Sequence, residues 1–289
     1  MLHFIYNPIA GSGKAEQARK AIEPRLMDTP HAFHTTRARG EAAEIAGRLT
    51  AESQGDADII AMGGDGTLHE VLNGLTDPAR VRLGLIPCGS GNDFAAAAGI
   101  PMDPGAALEL ILSGSARYTD YMNCSGVRGI NAVGTGIDVD ILRRYARMKF
   151  LKGPAAYLAS LLLTVVTYKP RRFSEITGEM CEPHEALIAC AANGVTFGGG
   201  IPIAPKAALD DGLLDVIIID GIRKIAIPYA FMRLMQRRVL DLKATRFKRQ
   251  PRLTVRPDAP MALQIDGEIY EDLPFDVQLI QGELRVYRP

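Results

Sequence analysis

Short apolar runs alternate with amphipathic ones over the first third of the chain. Residues 57–62 are an almost uninterrupted apolar run, the pattern of a strand buried on both faces, and 2–6, 32–36 and 82–87 are further strand candidates. Between and after them, residues 15–26, 41–52, 68–75, 92–98 and 104–112 repeat apolar positions at helical spacing, with Pro24 the one misfit. Strand–helix alternation with short loops predicts a parallel sheet covered on both faces. From about Arg117 the pattern changes. Short β-rich runs at 117–124, 129–133, 173–178, 186–192, 214–219, 253–256, 262–265, 275–280 and 284–287 are separated by Gly, Pro and Asp turns. Helical patterns interrupt them at 139–149, 154–168 and 225–236. Many short strands of this kind predict an antiparallel sandwich, so the expected fold is an α/β domain followed by a β-sandwich domain. A cleft between two such domains is a preferred ligand site.

Composition narrows this only slightly. The 289 residues are 47% hydrophobic and 23% charged, which suits a folded globular protein. Lys+Arg and Asp+Glu both number 33, so no global bias towards nucleic acid exists. Cys88, Cys124, Cys181 and Cys190 are scattered without metal-ligand spacing, and the five histidines do not cluster. Such thiols predict a reducing, cytoplasmic setting. The N-terminus lacks a basic, long-apolar signal segment. The apolar segment 154–168 falls short of the ~20 residues a membrane span needs and is expected to be a buried or interfacial helix.

Three glycine-rich turns follow three of the predicted parallel strands. Asn7-Pro8-Ile9-Ala10-Gly11-Ser12-Gly13-Lys14 departs from a P-loop, with Pro8 at the first glycine position and Ala15 at the magnesium-binding hydroxyl position. Gly63-Gly64-Asp65-Gly66-Thr67 ends the most apolar run and opens a helix. Gly89-Ser90-Gly91-Asn92-Asp93-Phe94 departs from a dinucleotide fingerprint, with Phe94 at the third glycine position. Together the turns offer backbone donors, the side chains of Asn7, Ser12, Lys14, Thr67, Ser90 and Asn92, and the carboxylates of Asp65 and Asp93. That inventory suits a nucleoside triphosphate held with a divalent ion.

In this order the motifs resemble the diacylglycerol kinase catalytic domain, with Glu70 and Asn73-Gly74-Leu75 after the second turn. The superfamily includes bacterial lipid kinases, sphingosine kinases and ceramide kinases. The second half agrees through Asn193-Gly194, Phe197-Gly198-Gly199-Gly200, Ala204-Pro205, Leu209-Asp210-Asp211-Gly212-Leu213-Leu214-Asp215 and Asp266-Gly267-Glu268. The resemblance spans nearly the whole chain. It implies an N-terminal three-layer α/β nucleotide-binding domain, residues 1–123 plus a returning strand at 282–289. It also implies a C-terminal β-sandwich lipid-binding domain at 124–281, with the active site in the interdomain cleft. The implied activity is ATP- and Mg2+-dependent transfer of the γ-phosphate to a lipid hydroxyl, with diacylglycerol the first-choice acceptor and phosphatidic acid the product. Asn7, Gly11, Ser12, Gly13, Gly63, Gly64, Gly66, Thr67, Gly89, Ser90 and Asn92 then match nucleotide-binding positions. Asp65, Asp93 and Asp120 match acidic positions near nucleotide and magnesium, and Glu268 matches the general base. Asp211, with the carbonyls of Leu213 and Ala208, matches a structural magnesium site.

The chemistry is coherent with those roles. A primary alcohol is a poor nucleophile, so a carboxylate must accept its proton as the bond to phosphorus forms. Two basic stretches could face anionic lipid: Arg233, Arg237, Arg238, Lys243, Arg246, Lys248, Arg249 and Arg252, and Arg143, Arg144, Arg147, Lys149 and Lys152. A solvated helix face is the plain alternative for each. The expected setting is cytoplasmic, with transient peripheral contact at the membrane and no nucleic acid partner. Strand edges leave a homodimer open. The rivals are a kinase of another acceptor (a sphingoid base, phosphatidylglycerol or NAD) and a nucleotide- or membrane-binding module without turnover.

Overall fold

The run Ala57–Gly63 is buried at every residue, and it forms the central strand of its sheet. The structure, a computed structural model, describes residues 1–147, 160, 163–165 and 167–289. Within them the chain divides into two compact units. The first holds Met1–Tyr121, Leu209–Gly212 and Ile280–Pro289, and the second holds Met122–Ala208 and Leu213–Leu279. The turn Leu209–Gly212 thus joins the first unit, although the sequence pattern places it with the second part.

In the first unit, β1 (Leu2–Tyr6), β2 (His31–Thr35), β3 (Ala57–Gly63), β4 (Val81–Pro87) and the end of β15 (Phe275–Tyr287) lie in the order β2-β1-β3-β4-β15, all pairs parallel. The chain steps from β1 to one side for β2 and to the other for β3. That reversal creates a topological switch point at the carboxyl ends of β1 and β3, where ligands of open α/β sheets bind. The helices are α1 (Ala10–Ile22), α2 (Glu41–Glu52), α3 (Asp65–Gly74), α4 (Asp93–Ala97) and α5 (Pro104–Leu112). Pro24 ends the first one, and the chain continues as a short 3-10 turn. Asp103 caps α5 by accepting the Ala106 N–H at 2.9 Å, with Pro104 at the first helical position. The returning strand is fastened by Asp58, which accepts the Tyr287 hydroxyl at 2.6 Å and pairs with Arg82.

The second unit is an antiparallel sandwich that also receives the end of β5 (Ala116–Cys124). Its strands are β6 (Val127–Gly129), β7 (Ala132–Gly136), β8 (Arg171–Thr177), β9 (Met180–Ala192), β10 (Leu214–Asp220), β11 (Thr245–Gln250), β12 (Arg252–Pro257), β13 (Leu263–Ile265), β14 (Glu268–Tyr270) and the start of β15. Long β9 serves both layers: its last residues pair with β7 and β10, and its first residues pair with β8. Phe173, Val216, Ile218, Leu253, Ile265 and Val277 fill the space between the layers. Ile217 and Ile219 point the other way, packing with Ile137, Ile141 and Ile227 of α6 (Ile137–Arg147) and α7 (Ile227–Met235). Covered on both faces, β10 has no reason to alternate, which explains its unbroken apolar run.

Several expected elements change. The predicted strand 129–133 is two strands, β6 and β7, because the N–H groups of Ile130 and Asn131 leave the ladder for the Asp266 carboxylate. The predicted strands 275–280 and 284–287 are one, β15. Strand β11 lies in the stretch read as basic: Arg246 and Lys248 pair with Glu182, and Arg249 with Asp215. Most of the predicted helix 154–168 lies outside the described residues, as do Lys149 and Lys152. No helix among the described residues is long and apolar enough to cross a membrane.

One buried carboxyl group departs from the rule that buried charge is paired. Asp138 in the first turn of α6 borders a small apolar cavity of about 80 Å³ with Ile141, Leu187, Phe197 and Phe231. Neither of its oxygens makes a hydrogen bond of normal length among the described residues. Burial pushes its pKa up to about 7, offset only in part by nearby backbone N–H groups and the Gln264 amide. The folded state therefore holds this proton between the ordinary carboxylate value, about 4, and about 7, while the unfolded chain has lost it. Stability contributed here falls as pH rises through that window. Asp138→Asn should flatten the pH dependence of urea unfolding, gaining on the wild type by on the order of 3 kcal/mol at pH 8 relative to pH 4. Parallel curves for the two proteins would show that the proton is not held.

Candidate active site

Three loops leave the carboxyl ends of β1, β3 and β4. In the first, Asn7 accepts the Ile9 N–H at 3.0 Å through its side chain, which starts a tight turn. Gly11, Ser12 and Gly13 are all left-handed, at φ 60°, 61° and 91°, so regular α-helical geometry begins only at Lys14. A β-carbon on Gly11 would stand 1.9 Å from the Cys88 carbonyl oxygen in the third loop. A β-carbon on Gly89 would stand 2.4 Å from the Gly64 Cα in the second. The Cys88 N–H donates to the Gly63 carbonyl at 2.8 Å. The glycines are therefore needed because backbone lies directly on backbone. The loops form one surface.

Side chains that the sequence offers as ligands are first of all builders of that surface. Asp65 accepts the Phe94 N–H at 3.3 Å, tying the second loop to the start of α4. Asn92, left-handed at φ 58°, accepts the Gly89 N–H and donates to the Gly89 carbonyl, both at 3.0 Å. Thr67 packs against Gly63, and Asp93 is buried. Ser12, Gly66, Ser90 and Gly91 are exposed on the loops. Beside them Lys14, Gln17, Cys88, Gly89, Asn92 and Met102 border a cavity of about 480 Å³, within the range of small-molecule sites. Burial pushes the Cys88 thiol up to about 11, against the pull of Lys14, so it is no thiolate nucleophile at neutral pH.

Asp120 and Asp211 meet within the same unit. Asp120 is buried on β5; its N–H donates to the Leu209 carbonyl at 2.6 Å, and its carboxylate accepts the Gly212 N–H at 2.8 Å. Arg288 clamps the turn from the returning strand, reaching Thr119 Oγ1 at 2.9 Å and Asp210 at 2.7 Å. Burial raises the Asp120 pKa, the Gly212 N–H opposes this, and the neighbouring Asp211 and Asp210 raise it further. Asp211 itself is exposed. Ala208 and Leu213 flank this turn along the chain and fall in the second unit.

Glu268 also belongs to the second unit, as the first residue of β14. Asp266 and Gly267 are both left-handed, at φ 51° and 90°, between the paired residues Ile265 and Glu268. This is the two-residue hairpin that Asp-Gly favours. The Asp266 carboxylate accepts the N–H groups of Ile130, Asn131 and Ala132 at 2.8, 2.9 and 3.0 Å. It fixes the hairpin that presents Glu268. Nothing in the sequence alone marks Asp266 for this, because its partners lie far away along the chain.

Residues 1–124 match the family model of the diacylglycerol kinase catalytic domain, and residues 131–288 match the YegS C-terminal NAD kinase beta sandwich-like domain. The chain belongs to this lipid kinase family. A "Probable lipid kinase YegS-like" protein of Pseudomonas aeruginosa is 33% identical over 95% of this chain and 90% of its own length. Another of that name from Chromohalobacter salexigens is 29% identical over 96% of this chain and 90% of its own length. Among solved structures, a diacylglycerol kinase from Bacillus anthracis has the same fold (TM-score 0.74, 21% identity, covering 100% of this chain and 96% of its own). An NAD kinase from Archaeoglobus fulgidus is a more distant likeness (TM-score 0.51, 12% identity, covering 99% and 92%).

For this lipid kinase, Gly89→Ala tests the loop surface most directly. The added methyl meets backbone, which cannot rotate away, so unfolding should cost about 1–3 kcal/mol less than in the wild type, with nucleotide affinity lowered. Unchanged stability and unchanged nucleotide binding would mean the loops are not pressed together in solution.

Proposed function

We propose that this lipid kinase transfers the γ-phosphate of ATP, with Mg2+, to the hydroxyl of a membrane lipid, diacylglycerol first, giving phosphatidic acid. The observation that carries the reading is the surface of three loops pressed backbone to backbone at the switch point. It offers N–H and hydroxyl donors from Ser12, Gly66, Ser90 and Gly91 where a phosphate chain can lie. Family membership adds the reaction class, and the relatives' names add the lipid.

The residues at the Leu209–Gly212 turn fit a divalent cation. Asp210 and Asp211 are exposed beside buried Asp120 and raise its pKa, so three carboxylates gather negative charge at one turn, with Arg288 on Asp210. Asp120 and Asp211 are the residues that would hold it, with Asp65 serving the nucleotide. Bound Mg2+ supplies neutralisation of the phosphate charge. The chain's own residues do the rest. The loops hold the phosphate chain, Lys14 adds a cation beside them, and Glu268 accepts the proton of the lipid hydroxyl as the new bond to phosphorus forms.

Contact with the membrane is assigned to the second unit. Arg143, Arg144, Arg147, Lys169 and Arg171 surround a cavity of about 630 Å³, with Asp140 the one carboxylate among its described lining; Arg143 and Arg171 pair with Asp140, and Arg143 also with Glu271. The Arg144 guanidinium is oriented by Thr164 and Thr167, and Arg147 and Lys169 have no ion-pair partner among the described residues. By contrast, the later basic stretch is spent largely on ion pairs with Glu175, Glu182, Asp215, Asp220, Asp241 and Asp276. Vesicles containing anionic lipid should carry the wild type upward in flotation, and Arg144→Ala/Arg147→Ala should float several-fold less, at about 1 kcal/mol per charge removed. Equal flotation removes these residues from the membrane contact.

ADP release with diacylglycerol micelles or NAD as sole acceptor separates the lipid reading from its nearest rival. The expected result is release with the lipid only. Glu268→Gln should lower turnover by about 10²–10⁴-fold and leave ATP binding intact. Release with NAD alone sinks the lipid assignment, and undiminished turnover in the variant sinks the base assignment.

A further inference from the structure

Strands β8, β9, β10 and β11 carry the apolar inner face of the sandwich to its end, and there the same rows become charged. Phe173 of β8 is followed at the next same-face position by Glu175. Ala186 of β9 is preceded on its face by His184 and Glu182, and Ile218 of β10 is followed by Asp220. Lys248 and Arg246 of β11 complete the group. Glu175 and Glu182 face each other directly across β8 and β9.

The His184 ring is the anomaly. Its side chain is fully buried, and neither ring nitrogen has a hydrogen-bond partner among the described residues. Buried imidazoles normally satisfy at least one nitrogen. The ring nevertheless lies between two carboxylates, with Nε2 at 3.7 Å from Glu175 Oε2 and Nδ1 at 3.9 Å from Asp220 Oδ1. These are distances at which something is still to be placed between the groups. Glu175, Glu182 and His184 each offer a ligand atom within 4.8 Å of the others.

We infer that Glu175, Glu182 and His184 form a binding site for a divalent transition metal of the zinc class, separate from the nucleotide's magnesium. Two carboxylates and one imidazole are the ligand set of an open zinc site, leaving a position for water. Asp220 stands on the far nitrogen of His184, the place of the carboxylate that orients a metal-bound imidazole. Lys248 stands at the same carboxylates, its ammonium 2.8 Å from Glu175 and 3.1 Å from Glu182. Lys248 is 42% exposed at its side chain, so it can withdraw to solvent when metal enters. Arg246 stays on Glu182 and Asp220. Competition with a tethered ammonium makes the site selective for metals that bind nitrogen well, and Mg2+ does not.

Zinc titration by calorimetry of the full chain tests this, without nucleotide and in a Cys181→Ser background so that the exposed thiol takes no ion. One zinc should bind per chain. Binding should weaken about 10–100-fold in His184→Gln and about tenfold in Asp220→Asn, and it should tighten in Lys248→Met as the competing ammonium is removed. Asp211→Asn should leave it unchanged. Absence of zinc binding in both the parent and Lys248→Met overturns the site. So does undiminished binding in a folded His184→Gln, or loss of binding in Asp211→Asn. Because Lys248→Met is expected to gain affinity, a variant that merely fails to fold cannot imitate the result.

Discussion

A polypeptide can bring two loops together through side chains, which adjust, or through backbone, which does not. The first unit uses backbone. The Gly11 α-carbon lies against the Cys88 carbonyl and the Gly64 α-carbon against Gly89, and no β-carbon fits at either place. Once those contacts are fixed, other features follow. Asp65 reaches the Phe94 N–H, Asn92 closes on Gly89, and Ser12 takes a left-handed conformation that costs an L residue roughly 1 kcal/mol. Such strain persists only where the surroundings over-determine it. The donors on these loops have positions settled during folding, which is the arrangement phosphoryl transfer rewards.

The carboxylates divide into two kinds by what they accept. Asp266 takes three backbone N–H groups and Asp58 takes a tyrosine and an arginine. Their desolvation is offset by bonds, and they hold structure. Asp120 is buried with Asp210 and Asp211 as neighbours, and Asp138 is buried beside an apolar cavity; both have pKa values pushed up. A chain that keeps such groups gives up stability to do so. Asp120 is explained by the kinase reading through its place beside the turn proposed to hold the cation. Asp138 is not used by that reading.

Local pattern made the first unit legible and part of the second. The bounds of α2 and α5 follow from apolar spacing, the Asp103 cap and Pro104, all of which act within a few residues. The glycine turns were legible as turns. Their reason was not, because Gly11 is explained by Cys88, which is remote in the chain and near only in the fold. The break between β6 and β7 has the same origin, since Asp266 acts across the sandwich on Ile130 and Asn131. Strand β11 was hidden by charge. Its residues alternate Arg246, Phe247, Lys248, and only the Phe247 face is apolar. A run of cations reads as solvated surface until the carboxylates opposite it are known.

That last case shows why charge counts along a sequence say little about surfaces. Two basic stretches look alike in composition, yet they differ in what the fold sets against them. Around Arg144 the partners are threonine hydroxyls, which orient a guanidinium without neutralising it. Around Lys248 the partners are carboxylates, one of them fully buried, so the lysine is an internal counter-ion. An exposed ion pair would contribute little either way. A buried carboxyl group needs either a proton, which Asp138 holds, or a cation, which Glu175 has. Lys248 meets that need and leaves the imidazole of His184 without a bond. The cluster therefore sets two cations against three carboxylates and leaves the imidazole without a hydrogen bond among the described residues, and a divalent cation that also takes a nitrogen ligand would answer both.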